Sequence, residues 1–160
     1  VTLVLLTVAI PGFRSITGSS AVSAGLNDMA GHLHFARSEA IKRGIQVVLC
    51  PSGDGRTCLD SFQWQDGFIV FADDNANRRR DANESVLRFH RHDSKRVKIL
   101  TSAGRKRLVY KASGMSPGST ATITICDRSA SVEPQAIILS NPGRPRQSKT
   151  RSDGSPLQCE

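Results

Sequence analysis

The chain of 160 residues is poor in aromatics, with one Trp, one Tyr and six Phe, so a surface that stacks successive bases of a single strand has little to build with. No Cys-x-x-Cys or His-x-x-x-His spacing occurs, which removes the usual frame of a structural zinc site. No Ser/His/Asp order, nucleophile elbow or phosphate loop is present, so nothing points to an enzyme or to a cofactor. A full membrane span is also missing. The apolar run Val1 to Ile10 stops after ten residues, half of the roughly 20 that a transmembrane helix needs. On this reading the chain is truncated and the run is the C-terminal half of a span. The rival reading is the remnant of a signal peptide, against which stands the helical pattern that continues past Pro11.

From Ser15 onward the apolar residues Ile16, Val22, Leu26, Met29, Leu33, Ala36, Ala40 and Ile41 recur at three- and four-residue steps, the mark of one helix face. Glu39 and Arg43 make an i,i+4 pair, and Gly44 offers a C-cap. Pro11 removes one backbone donor and is expected to kink the helix where the stem leaves the bilayer or filament core. Beyond Gly44 the period shortens. Runs rich in Val, Ile, Thr and Phe at 45–50, 67–72, 86–91, 97–100, 108–112, 120–126 and 136–140 predict strands. The turn signals Gly53-Asp-Gly55, Ser116-Pro-Gly118 and Asn141-Pro-Gly143 divide them. The pattern is α+β: a long N-terminal helix packed on antiparallel sheets, with residues 1–20 as an apolar stem and 21–160 as one globular domain.

The balance of charge is basic, with 22 Lys and Arg against 14 Asp and Glu for a net charge of +8. Such an excess favours polyanionic partners such as nucleic acid or anionic headgroups, although scattered cations can simply keep a surface soluble. Here they cluster: Arg78 to Arg80; Arg88, Arg91, Lys95, Arg96 and Lys98; Arg105, Lys106 and Arg107; and Arg144, Arg146, Lys149 and Arg151. The last group is the sharpest. In Gly143-Arg144-Pro145-Arg146 the glycine permits unusual dihedrals or a close backbone approach, and the proline holds the segment extended so that both guanidiniums are displayed. Arginine suits phosphate because its planar fork donates two hydrogen bonds to one phosphate. The rival reading is a solvated tail that neutralises nearby carboxylates.

Two other constellations are weaker. Asp73, Asn75, Asn77, Arg79, Asp81 and Glu84 occupy positions 1, 3, 5, 7, 9 and 12 of a calcium loop. Arg78 stands where the loop wants glycine, however, and Arg78 to Arg80 would repel a cation. The alternative is a polar hairpin loop whose carboxylates pair with its own arginines. Of the four histidines, His32, His34, His90 and His92, the last two flank Arg91 and share one strand face; surface or packing roles suffice, with metal binding or pH sensing as the minor alternative.

The apolar stem with Pro11, the segment Ala36-Arg-Ser-Glu-Ala-Ile-Lys-Arg-Gly44, Leu49-Cys-Pro-Ser52, Gly67-Phe-Ile-Val-Phe-Ala-Asp73 and Asn141-Pro-Gly-Arg-Pro-Arg146 together resemble the minor pilins and pseudopilins of the FimT/GspH group. The family's leader, its G-F-T-L-x-E processing site and the glutamate used in filament assembly are not in this sequence. The resemblance implies processing by a prepilin peptidase, storage in the inner membrane, insertion into a type IV pilus at the cell surface, and contact with other pilins through the stem helix. In FimT-like members a G-R-x-R motif near the C-terminus is associated with binding DNA during natural transformation. The expected DNA-binding residues are therefore Gly143, Arg144, Arg146, Lys149 and Arg151, with Arg105, Lys106 and Arg107 behind them. Competing readings are a structural pilin that primes pilus assembly and a type II secretion pseudopilin. An exported stem also implies an oxidising compartment, which favours disulfides over zinc; the expected pairs are Cys50 with Cys58 and Cys126 with Cys159, the second tethering the basic tail.

Overall fold

A computed structural model describes the backbone of residues 2–92 and 95–159, and side chains over 16–92 and 95–159. Among the described residues one helix, α1 (Thr2–Arg43), is followed by eight strands: β1 (Gln46–Pro51), β2 (Phe68–Asp73), β3 (Val86–His90), β4 (Val97–Thr101), β5 (Leu108–Tyr110), β6 (Ala121–Asp127), β7 (Gln135–Leu139) and β8 (Pro145–Ser148). They form two four-stranded sheets, β3-β2-β1-β5 and β4-β6-β7-β8, and every pairing is antiparallel.

The helix follows from its sequence. Val22, Leu26, Met29, Leu33, Ala36 and Ala40 step by three or four, fall on one face and are all buried. It runs through Pro11 as one element. It ends at Gly44, whose φ of +67° is costly for any residue with a Cβ and whose amide donates to the Ala40 carbonyl at 3.0 Å. Arg43 Nε meets Glu39 Oε2 at 2.6 Å in the last turn.

Two residues assigned to the buried face are not on it. Ile41 is 52% exposed and Ile16 is 68% exposed. Ile41 follows Ala40 by one residue, about 100° around the helix, and lies at the rim beside Gly114. Ile16 lies a turn and a half before Val22, the first helix residue in the core.

The core joins that stripe to the inner faces of both sheets: Val47 and Leu49 of β1, Phe68 and Val70 of β2, Ile99 of β4, Ile123 and Ile125 of β6, and Ile137 and Leu139 of β7, with Trp64. Because strand side chains alternate, the intervening residues form the outer faces. On the first sheet Val48, Cys50, Ile69, Phe71 and Val109 make a second apolar cluster, against which Cys58 packs. The Cys50–Cys58 disulfide thus closes a loop over that face.

The Cys126–Cys159 disulfide does the same for the second sheet. Its outer face carries Thr122, Thr124 and Ile138, and Arg151 and Asp153 of the C-terminal tail share cavities with them. Lys98 Nζ donates to the Cys159 carbonyl at 2.8 Å. Both pairings match the expectation, and so do the seven strands, each within two residues. The eighth strand was unforeseen: Pro145 to Ser148, read as an extended tail, pairs with β7. Pro-Arg-Gln-Ser has no apolar alternation to announce a strand, and proline is tolerated there because it opens an edge strand.

The Cys126–Cys159 bridge spans 33 residues, so on the chain-entropy account its loss costs roughly 3–4 kcal/mol. Cys159→Ser should therefore lower stability by that order in urea melts and expose the tail, residues 150–159, to proteolysis before the domain unfolds. A tail equally resistant in the variant would show that the bridge does not hold it.

Candidate nucleic-acid interface

The turn between β7 and β8 is built before the arginines are displayed. Gly143 N donates to Ser140 O at 2.8 Å to close it, and Asn141 O accepts from Ser116 N at 2.8 Å. Ser116 is buried and its hydroxyl donates to Val109 O of β5 at 2.7 Å. Gly143 has φ +75°, and a Cβ there would sit 2.2 Å from the Gly114 carbonyl oxygen and 3.1 Å from Tyr110 Cε1. No other residue fits. Tyr110 is itself buried, and burial pushes its phenol well above the ordinary range, so it stays neutral. The turn is thus fastened to β5 and the β5–β6 loop, at the seam between the two sheets. Gly143, named with the expected DNA-binding residues, is buried, and its turn sets where the strand carrying Arg144 and Arg146 begins.

Arg144 and Arg146 are exposed. Arg146 pairs with Ile138, whose neighbours Ile137 and Leu139 face the helix, so alternation turns Arg146 to the outer face of the edge strand. Arg144 precedes it by two residues, about 6.6 Å along extended chain. Among the described residues no carboxylate is paired with either guanidinium. Lys149 and Arg151 diverge. Lys149 lines a groove of about 480 Å³ with Ser19, Val22, Val132 and Leu157 on the helix side. Arg151 lies over the second sheet beside Thr122 and Thr124.

A second basic surface is formed by two segments that sequence spacing kept apart. Arg78, Arg79, Arg105, Lys106 and Arg107 line one concavity of about 250 Å³ with Asn77 and Ser119. Its cations are partly engaged: Arg105 Nε donates to Thr120 O at 2.8 Å, and Lys106 Nζ lies 2.8 Å from Asp60 Oδ2. That lysine's hydrogen bond holds the Asp60 carboxyl below its usual range. The remaining group is dispersed. Arg88 stacks over the Phe35 ring at 3.7 Å, and Arg96 Nε lies 3.7 Å from Asp127 Oδ1. Burial opposes ionisation of Asp127, but hydrogen bonds from Ser129 and Ser131 outweigh it and hold the carboxyl at about 2.

The calcium-like loop has the spacing but spends its oxygens internally. Asp73, which is buried, accepts from the amides of Asn77 at 3.0 Å and Arg78 at 2.8 Å. Glu84 accepts from the amides of Asp74 and Asp81. Asn75 and Asn77 both donate to Asp81 Oδ2 at 2.8 Å; these bonds lower the Asp81 pKa. The carboxylates cap backbone amides and asparagines rather than pairing with the loop's arginines, because the reversal at Arg78, φ +63°, turns amides inward. His32, His90 and His92 gather around Asp28 and Phe68, while His34 is exposed.

A long helix packed on two antiparallel sheets has known counterparts. The family model for type II transport protein GspH matches residues 26–143, and the chain belongs to that family. The match ends at Gly143, one residue before the arginines. Two solved structures of the type IV minor pilin FimU from Pseudomonas aeruginosa share the fold. The P21 form has a TM-score of 0.67 at 18% identity over 91% of this chain and 99% of that one. The P65 form has a TM-score of 0.60 at 20% identity over 89% and 99%. A comparison with curated proteins returned no significant match. The chain is therefore a member of the GspH family with the fold of the type IV minor pilin structures. Among the described residues no helix is long and apolar enough to cross a membrane.

The contacts of Gly143 set a direct check. Gly143→Ala must relieve both a clash with backbone and a left-handed φ, so it should destabilise by roughly 2 kcal/mol or more in denaturant melts. A neutral result would mean that the turn is not fastened to the seam.

Proposed function

We propose that this minor pilin binds DNA through Arg144 and Arg146 and serves pilus-mediated DNA uptake. The observation that carries the proposal is the display of two exposed guanidiniums, neither paired with a carboxylate among the described residues, on an edge strand whose entry is buried at the seam. Such a pair can grip phosphates without first breaking an ion pair, and its rigid base lowers the ordering cost of doing so. Contacts of this kind carry no direct base information, and nothing on this face resembles a recognition helix, so binding is to the duplex backbone with little sequence preference. Lys149 and Arg151 extend the positive field on either side, and the Arg78–Arg107 concavity is a secondary phosphate surface. Residues before about Ser20 form the stem that engages other pilins in the filament and the inner membrane before assembly.

The second reading is a secretion pseudopilin, favoured by the description of the family model. It shares the fold and gives the two arginines no ligand.

In fluorescence anisotropy with a short duplex at low salt, Arg144→Ala with Arg146→Ala should abolish binding at an unchanged melting temperature, because exposed arginines contribute little to folding. With about four to six phosphates neutralised, log affinity should fall against log salt with a slope near −4 to −5. A folded double variant that binds as tightly as wild type removes these arginines from the interface. No binding by the wild type at low salt favours the pseudopilin reading.

A further inference from the structure

The histidine cluster lies apart from the basic edge strand. Asp28 projects from α1, His90 closes β3, and His92 follows in the next loop. One ligand atom from each, a carboxylate oxygen and two ring nitrogens, can be chosen so that all lie within 4.8 Å of one another. His90 Nε2 is 2.7 Å from Asp28 Oδ2, and the His90 and His92 ring centroids are 5.2 Å apart. His92 Nε2 is buried with no hydrogen-bond partner among the described residues. His32 forms the wall behind them: its ring is 4.8 Å from that of His90, and its Nδ1 is 2.8 Å from the Asp28 carbonyl oxygen. Gly25 borders the group on the helix: a Cβ there would come 3.2 Å from Ile125 Cγ2 and 4.0 Å from His92 Nε2.

An Asp28–His90 ion pair explains two of these residues and leaves the third without a role. We propose that Asp28, His90 and His92 form a binding site for a divalent transition-metal ion of the zinc type. Two imidazoles and one carboxylate suit such an ion rather than calcium or magnesium, which take oxygen ligands. In a tetrahedral zinc site with bonds of 2.0–2.1 Å the ligand atoms stand about 3.3 Å apart. The present separations, from 2.7 Å up to 4.8 Å, bracket that value, so side-chain shifts of about 1 Å complete the site. The Asp28 side chain is 36% exposed and that of His90 19%, leaving a fourth position open to water or to a donor from a neighbouring subunit. The bound ion would tie the stem helix to the edge strand of the first sheet, a contact that does not depend on the DNA reading.

The test is calorimetric titration of the full chain, freed of metal by chelation, with zinc chloride, alongside thermal melts. One equivalent should bind with a Kd of about 10 µM or tighter, and at about 100 times Kd the melting temperature should rise by roughly 5–10 °C, reversibly with chelator. His92→Gln and Asp28→Asn should each weaken binding at least about tenfold, whereas His34→Gln should not. His90 is packed against Phe68, with ring centroids 5.0 Å apart, so its variants risk misfolding and the other two carry the test. No heat at about 100 µM zinc overturns the proposal, as does zinc affinity unchanged in folded His92→Gln.

Discussion

The structure depends on burial of one stripe of α1, Val22 to Ala40, against two sheets at once. Neither sheet can bury its inner face without it, since a lone four-stranded sheet exposes that face to water. The helix therefore fixes both sheets, and their outer faces become the remaining problem. Each is covered by a loop pinned by a disulfide: Cys50–Cys58 over the first sheet and Cys126–Cys159 over the second. A single domain of this length has a modest core, and two cross-links that restrict the unfolded chain compensate for it.

The same arrangement decides where charge can be displayed rigidly. A tail tied down at Cys159 leaves β8 as the last edge of the second sheet, and the buried Gly143 turn sets where that edge begins. The other basic groups each have members engaged elsewhere: Arg88 with a ring, Arg96 with Asp127, Lys106 with Asp60. Net charge alone would attract a polyanion to any part of the surface. What sets Arg144 and Arg146 apart is that the backbone carrying them is held by a sheet on one side and by the seam on the other.

Much of this was legible because it rests on periodicity. The buried helix stripe, Gly44, seven strands and both cysteine pairs follow from local pattern and the expected oxidising compartment. What escaped is long-range. The strand at Pro145 exists because β7 offers a free edge, which four polar residues cannot announce. The concavity shared by Arg78, Arg79 and Arg105 to Arg107 joins segments distant in the chain. The gathering of Asp28 with His90 and His92 requires the helix to lie against β3. The exposure of Ile16 and Ile41 reflects where the sheets stop, not the helix period.

The central claim, that phosphates meet the edge strand first and the concavity only secondarily, is tested most directly by photo-crosslinking the full chain to a short duplex and mapping the modified peptides. The account predicts adducts concentrated within residues 143–149. Adducts confined to Arg78, Arg79 and Arg105 to Arg107 would contradict it.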